Sequence, residues 1–268
     1  MRVSTVSEAT FSLVPPPPVN AAHRAPFLIV ETGQPVGSLK RYGRFPHWIR
    51  VAAGLGAGEV VEVNAERGDP LPEASSVAGV IVSGSAAFVT DRAEWSERTA
   101  GWIREAVQDG TPLLGICYGH QLLAHALGGE VDYNPAGRES GTVFIDLHPP
   151  AFEDPLFAGM PARFAAHATH LQTVLRPPEG ATVLARSEQD GCHAFRWGGQ
   201  AWGVQFHPEF ATHHMRGYVQ ARAECLRNHG RCPRTVAREV SAAPQARRLL
   251  RRFVQHARGS AVRPAPQA

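Results

Sequence analysis

Apolar and polar positions fall in alternating blocks along the body of the chain. PFLIVET (26–32) is a short β-branched apolar run, the pattern of a strand covered on both faces. Residues 45–57 carry helical spacing, EVVEVN (59–64) reads as a second strand, and VAGVIVSG (77–84) as a third that ends in glycine. DRAEWSERTAGWIREAVQDG (91–110) spaces Trp95, Thr99, Trp102, Ile103, Ala106 and Val107 along one helical face, with Asp91 as the expected N-cap and Gly110 as the stop. TPLLGI (111–116) follows as a fourth strand. YGHQLLAHALGG then reads as a helix with Leu122, Leu123, Ala126 and Leu127 on one side. Strands alternating with helices through short connections predict a parallel sheet covered on both faces.

Beyond residue 130 the pattern becomes strand-rich: EVDYNP, GTVFIDL, RFAAHATH, ATVLARS, and then CHAFRWGGQAWGVQFH, a hairpin turning at Gly198-Gly199. Residues 211–229 and 244–257 read as helical, with Pro244 suited to a first turn. No internal repeat and no linker interrupts the body. The expectation is a single α/β domain over 26–226, with a central mostly parallel sheet flanked by helices. A disordered, proline-interrupted leader is expected over 1–25, and a basic helical C-terminal extension over 227–268.

Composition narrows the setting. The chain has 268 residues, 43% hydrophobic and 19% charged, enough for a full soluble core. Its four cysteines, at 117, 192, 225 and 232, form no regular framework, which suits a reducing compartment. No apolar segment has the make-up of a signal peptide or the length of a membrane span, so a cytoplasmic location without membrane contact is expected. Charge is uneven. From Arg227 onward ten arginines face one acid, Glu239, a net +9, which leaves −6 for residues 1–226 out of +3 overall. Two readings stand for that tail: the solvated face of a helix, or a dock for an acidic partner. No aromatic or base-reading motif accompanies the arginines, so nucleic acid is not expected.

The candidate chemistry centres on Gly115-Ile116-Cys117-Tyr118-Gly119, a G-x-C-x-G turn between a strand and a helix. Such an elbow projects its central side chain above the sheet edge, and the flanking glycines let strand and helix approach. The sulfur would sit at a helix N-terminus, where the dipole favours thiolate. A buried structural cysteine in a tight turn is the plain alternative. WGVQFHPEF (202–210) supplies a base, His207, at a strand terminus, with Glu209 two residues on. In extended backbone both would face one side, so Glu209 could hold the far ring nitrogen. VSGS (82–85) ends another strand at the same edge, where Gly84 would let a backbone N–H approach a reacting carbonyl.

These segments together, SGS (83–85), GICYGHQ (115–121) and GVQFHPEF (203–210), resemble the class I (triad-type) glutamine amidotransferase family in the family's order, over roughly residues 26–225. They are similar in style to the glutaminase portion of GMP synthases and its stand-alone relatives. The resemblance implies a flavodoxin-like fold and a catalytic set of Cys117, His207 and Glu209. Gly84 and Tyr118 would form the oxyanion hole. Gln121 would help hold substrate, and His170, in HATHLQTV (167–174), is a further substrate contact or else a structural histidine. The implied reaction releases ammonia from glutamine or a γ-glutamyl compound through a thioester. No cofactor and no metal are called for. Ser85-Ala86-Ala87 departs from the glycine or proline common after the family's oxyanion glycine.

The chain carries no SGGxDS or GxxxxGK[ST] loop, so the resemblance implies a separate synthetase or acceptor subunit, or else a stand-alone γ-glutamyl hydrolase. A non-catalytic docking subunit is the reading from another class. Among the remaining residues, Cys225, His229 and Cys232 are too widely spaced for a zinc knuckle, and Cys192 is expected to pack in the hairpin. His120 is expected near the site without chemistry, and His213 and His214 in solvent.

Overall fold

The computed structural model describes residues 25–260; positions 1–24 of the expected leader and 261–268 of the expected extension lie outside them. Eleven strands and seven helices follow one another as β1 (Phe27–Glu31), α1 (Phe45–Ala53), β2 (Val60–Asn64), β3 (Gly79–Val82), α2 (Glu94–Gln108), β4 (Leu113–Ile116), α3 (Tyr118–Ala126), β5 (Glu130–Tyr133), β6 (Glu139–Leu147), β7 (Arg163–His170), β8 (Gln172–Arg176), β9 (Thr182–Arg186), β10 (Ala194–Trp197), β11 (Ala201–Val204), α4 (Thr212–Ala221), α5 (Ala223–Asn228), α6 (Pro233–Glu239) and α7 (Pro244–Ser260).

Nine strands form one sheet in the order β2-β1-β3-β4-β11-β10-β9-β6-β7. The first five pair in parallel, as the strand–helix alternation predicts. From β11 outward the pairing is antiparallel, built from the strand-rich second half. The hairpin at Gly198-Gly199 joins β10 to β11, with Gly198 at φ +57°. β5 and β8 stand apart as a two-stranded sheet.

Period-two side-chain alternation sorts the core into two layers. Phe27 and Ile29 of β1 join a cluster with α1, α4 and α7, while Leu28 and Val30 face α2 and α3 on the other side. Helix α7 is no free extension. Its Leu249, Leu250 and Phe253 are buried, and the Phe253 ring packs at 6.4 Å from both Phe27 and Trp202. Several tail arginines are committed within the fold: Arg252 donates to the carbonyls of Leu156 and Ala158, and Arg258 pairs with Glu59.

Two local expectations are corrected. Asp91 ends a short 3-10 turn, and Ala93 occupies the N-cap of α2. The helix expected over 211–229 breaks at Arg222 into α4 and α5, and α6 follows, beginning at Pro233 where the ring's fixed φ suits a first turn.

Two glycines where β4 meets α3 pack tightly against backbone. A Cβ on Gly115 would lie 2.3 Å from the Gly119 carbonyl oxygen, and one on Gly119 would lie 2.5 Å from that of Val82. Backbone meets backbone there, so no side chain can move aside. Gly119→Ala is therefore expected to destabilise by about 1–3 kcal/mol. Gly101→Ala, mid-α2 with open space around its Cβ, is expected to be neutral or to stabilise by up to about 1 kcal/mol through helix propensity. Denaturant unfolding of both variants checks this, and equal effects would contradict the packing account.

Candidate active site

Three neighbouring strands deliver the candidate residues to one edge. Ser83 and Gly84 follow β3, Cys117 follows β4, and His207 lies just past β11, while β4 pairs with both of the others. The C-terminal ends of parallel strands thus converge where open α/β sheets form their sites.

Cys117 sits in strained backbone. Its φ of +51° with ψ −100° is a conformation that side chains rarely adopt, and it is held from both directions. Its N–H donates to Val204 O at 2.8 Å across the sheet, and its carbonyl accepts from Gln121 N at 3.1 Å inside α3. The elbow expected from G-x-C-x-G is therefore formed, with the thiol at the N-terminus of α3.

His207 and Glu209 are both buried, and His207 Nδ1 lies 2.8 Å from Glu209 Oε1. The Phe210 ring stacks on the imidazole with centroids 4.0 Å apart, and the His207 N–H donates to His167 O at 2.8 Å. The contact matches the expectation, but its local cause differs. β11 ends at Val204, and residues 205–210 form a turn, so the carboxylate reaches the ring by chain reversal and not by strand alternation. Nε2 makes no hydrogen bond and is the ring nitrogen left to serve the neighbouring thiol.

The electrostatics follow from that enclosure. Burial works against a thiolate at Cys117, yet the charge of His207, with a smaller contribution from His170, holds its pKa below the ordinary value. Burial likewise opposes imidazolium at His207, but the carboxylate of Glu209 and the sulfur of Cys117 push its pKa up to about 10. Both directions favour a thiolate–imidazolium pair.

Gly84 lies directly over this pair. A Cβ there would come within 2.9 Å of His207 Cε1 and 3.6 Å of Cys117 Cβ. The loop is tied from behind: Thr32 N donates to Ser83 Oγ at 3.0 Å, and Thr32 Oγ1 donates to Ser83 O at 2.9 Å. Ser85, in the departing Ser85-Ala86-Ala87 segment, accepts from Ala87 N at 3.0 Å. Tyr118 begins α3 beside the thiol, and its hydroxyl hydrogen-bonds Ser96 at 2.6 Å on the far side of the helix.

Gln121 lines the cleft, its Nε2 donating to Gln172 O at 2.7 Å and Gln205 Oε1 at 2.9 Å. His170 lines it too, but both ring nitrogens are occupied, Nδ1 by Gln172 O and Nε2 by Glu139. A ligand contact from His170 would therefore fall to its backbone, since both ring nitrogens already have partners. Glu139 accepts from His170, His193 and Ser187 at 2.9, 2.6 and 2.6 Å. Burial raises the Glu139 pKa, and its two histidine partners overcome this to hold it well below the carboxylate range. Glu139, His170 and His193 are also the one group among the described residues with metal-ligand spacing, but their ligand atoms already stand at hydrogen-bond distance.

Other histidines depart from expectation or extend it. His214 is buried and stacked on Trp48 at 3.9 Å, its pKa pulled down to about 3 by burial; His213 alone of that pair is exposed. His120 is fully buried against Gly203 and Phe195, and burial lowers its pKa to about 3. Cys192 is packed as expected. The Cys225 sulfur accepts from Arg138 Nε at 3.2 Å, while Cys232 is exposed. A larger cavity of about 790 Å³ opens between β6 and residues 186–189, away from the thiol. Thr169 and Gln172 of the HATHLQTV segment line the cleft, but sequence reasoning missed Arg138 and Arg222 there, because nothing local in GRES or ARAE signals convergence on Cys117.

Comparison with known proteins places the chain in a family and shows its fold in solved structures. A GMP synthase [glutamine-hydrolyzing] of Aeropyrum pernix is 41% identical over 142 residues, 53% of this chain and 25% of that relative. Its counterpart from Thermus thermophilus is 45% identical over 104 residues, 38% of this chain and 20% of the relative. The chain thus spans about a quarter of these relatives' length. A crystal structure of a glutamine amidotransferase from Thermotoga maritima superposes with a TM-score of 0.70 at 21% identity, covering 88% of this chain and 99% of that one. One from Methylobacillus flagellatus gives 0.69 at 22%, covering 91% and 98%. A family model described as Glutamine amidotransferase class-I matches residues 51–222. That match takes in Cys117, His207 and Glu209 within a single sheet edge, and the chain belongs to the class-I glutamine amidotransferase family.

Proposed function

We propose that the protein hydrolyses the side-chain amide of glutamine through a thioester on Cys117. The observation that carries this is the buried Cys117–His207–Glu209 arrangement, with Nε2 of His207 unengaged beside the thiol and Nδ1 held at 2.8 Å by the carboxylate. Cys117 Sγ attacks the amide carbon, and the carbonyl oxygen takes the negative charge. The N–H groups of Gly84 and Tyr118 would hold that oxyanion; the close approach of Gly84 and the place of Tyr118 at the helix N-terminus support the assignment. His207 gives its proton to the departing nitrogen, which leaves as ammonia. Water, losing a proton to His207, then adds to the thioester. Collapse of that adduct releases glutamate and returns the sulfur to its starting state.

The ammonia acceptor is assigned to a synthetase-type partner site outside residues 25–260. Relatives named for both GMP synthesis and glutamine hydrolysis, matched over a quarter of their length, support this assignment. Among the described residues no helix is long and apolar enough to cross a membrane, and all four cysteines are free. A reducing, cytoplasmic setting suits a nucleophilic thiol.

Glutamate release from glutamine, assayed with and without a candidate acceptor enzyme, is expected to disappear in Cys117→Ala; unchanged release would refute the assignment. The pH dependence of alkylation reports the charge pair. Because the Cys117 pKa is lowered, the midpoint of iodoacetamide alkylation should fall below the ~8.5 of a free cysteine. Removing the cation in His207→Ala should move that midpoint upward. A wild-type midpoint at or above the free value would contradict the pairing.

A further inference from the structure

Two arginines in the cleft have no acid to answer them. Arg138, just ahead of β6, is buried at 7% exposure, and among the described residues its one side-chain hydrogen bond goes from Nε to the Cys225 sulfur. Arg222, between α4 and α5, makes no side-chain hydrogen bond among the described residues, and its Nε is buried without a partner. Neither guanidinium lies within ion-pair distance of a carboxylate there, whereas Arg44, Arg163, Arg196 and Arg258 all do. Arg138 and Arg222 line the same cavity; burial lowers the Arg222 pKa first, and the charge of Arg138 lowers it further. Glu139, the next residue after Arg138, is turned the other way and saturated by His170, His193 and Ser187.

Leaving one buried guanidinium and one half-buried one without a carboxylate is costly unless a ligand supplies the counter-charge. Both line one cavity with Cys117, Tyr118 and Gln121, and Arg222 also lines the adjoining cavity with Cys117 and His207. Among the described residues no aspartate or glutamate lines either cavity. A zwitterionic amino-acid head would therefore meet two cations for its carboxylate and no side-chain anion for its ammonium.

We propose that Arg138 and Arg222 form an anion subsite that grips the substrate's carboxylate, so that this protein selects monoamides of dicarboxylic acids by the carboxylate and does not require an α-ammonium. The planar, multi-donor guanidinium is suited to a carboxylate's two oxygens. This rests on the amide-hydrolase reading above and names what that site recognises.

Three amides separate the possibilities: L-glutamine, glutaramate (the carboxylate without the amine) and L-glutamine α-amide (the amine without the carboxylate). Turnover of glutaramate is expected within about 10-fold of glutamine, and that of the α-amide about 100-fold lower. Arg138→Gln and Arg222→Gln should each raise KM for glutamine by about 10-fold or more, with the loss concentrated in KM. The Lys variants should recover part of it, and thermal melts show that each variant is folded. Calorimetry of the same three compounds with Cys117→Ala reads recognition without chemistry. Equal turnover or binding of the α-amide and glutamine, or a requirement for the amine as strict as for the carboxylate, would overturn the subsite while leaving hydrolysis intact. Carboxylate-dependent binding with no ammonia released by the wild type would do the reverse. Absence of both binding and release would overturn both.

Discussion

The arrangement depends on one steric constraint: strand β4 and helix α3 touch backbone to backbone through Gly115 and Gly119, which forces the chain to reverse within a single residue, Cys117. A left-handed backbone at a residue with a side chain costs on the order of 1–3 kcal/mol. Here the sheet bond from Cys117 N to Val204 O and the helix bond from Gln121 N to Cys117 O absorb that cost. The strain has a geometric product. It turns the sulfur out of the sheet plane at the positive end of a helix, beside the loop that leaves the next parallel strand.

Pairing of β4 with β11 does the rest. It converts two distant sequence segments into neighbouring loops, one carrying a thiol and the other an imidazole. The turn over 205–210 then brings Glu209 back onto His207, while Phe210 covers the ring face. Within that enclosure each charge is defined by its neighbour: the carboxylate raises the imidazole pKa, and the imidazolium lowers that of the thiol. The antiparallel half of the sheet contributes a wall. Its Glu139–His170–His193 network anchors β6, β7 and the start of β10 behind the cleft, and leaves Arg138 and Arg222 as the charges that face it.

Much of the parallel half was legible in the chain, because strands buried on both faces show as apolar runs and the elbow glycines stand at fixed offsets from Cys117. The His207–Glu209 contact was also readable, though the wrong local geometry suggested it, since strand alternation and a tight turn both bring i and i+2 together. Three things were hidden for physical reasons. The burial of α7 is set by a one-sided apolar stripe amid many arginines, so overall charge masked it. His214 reads as polar, but its ring packs as an aromatic plate on Trp48. The convergence of Arg138 and Arg222 arises only from tertiary packing of β6 against the α4–α5 break, which no local pattern encodes.

The most direct measurement of the central claim is active-site labelling with a chloroketone analogue of glutamine, followed by peptide mapping of the four cysteines. The account predicts one adduct per chain, on Cys117, formed far faster than on the exposed Cys232 and suppressed by glutamine. Labelling spread over Cys225 and Cys232, or labelling of Cys117 that glutamine does not slow, would contradict it.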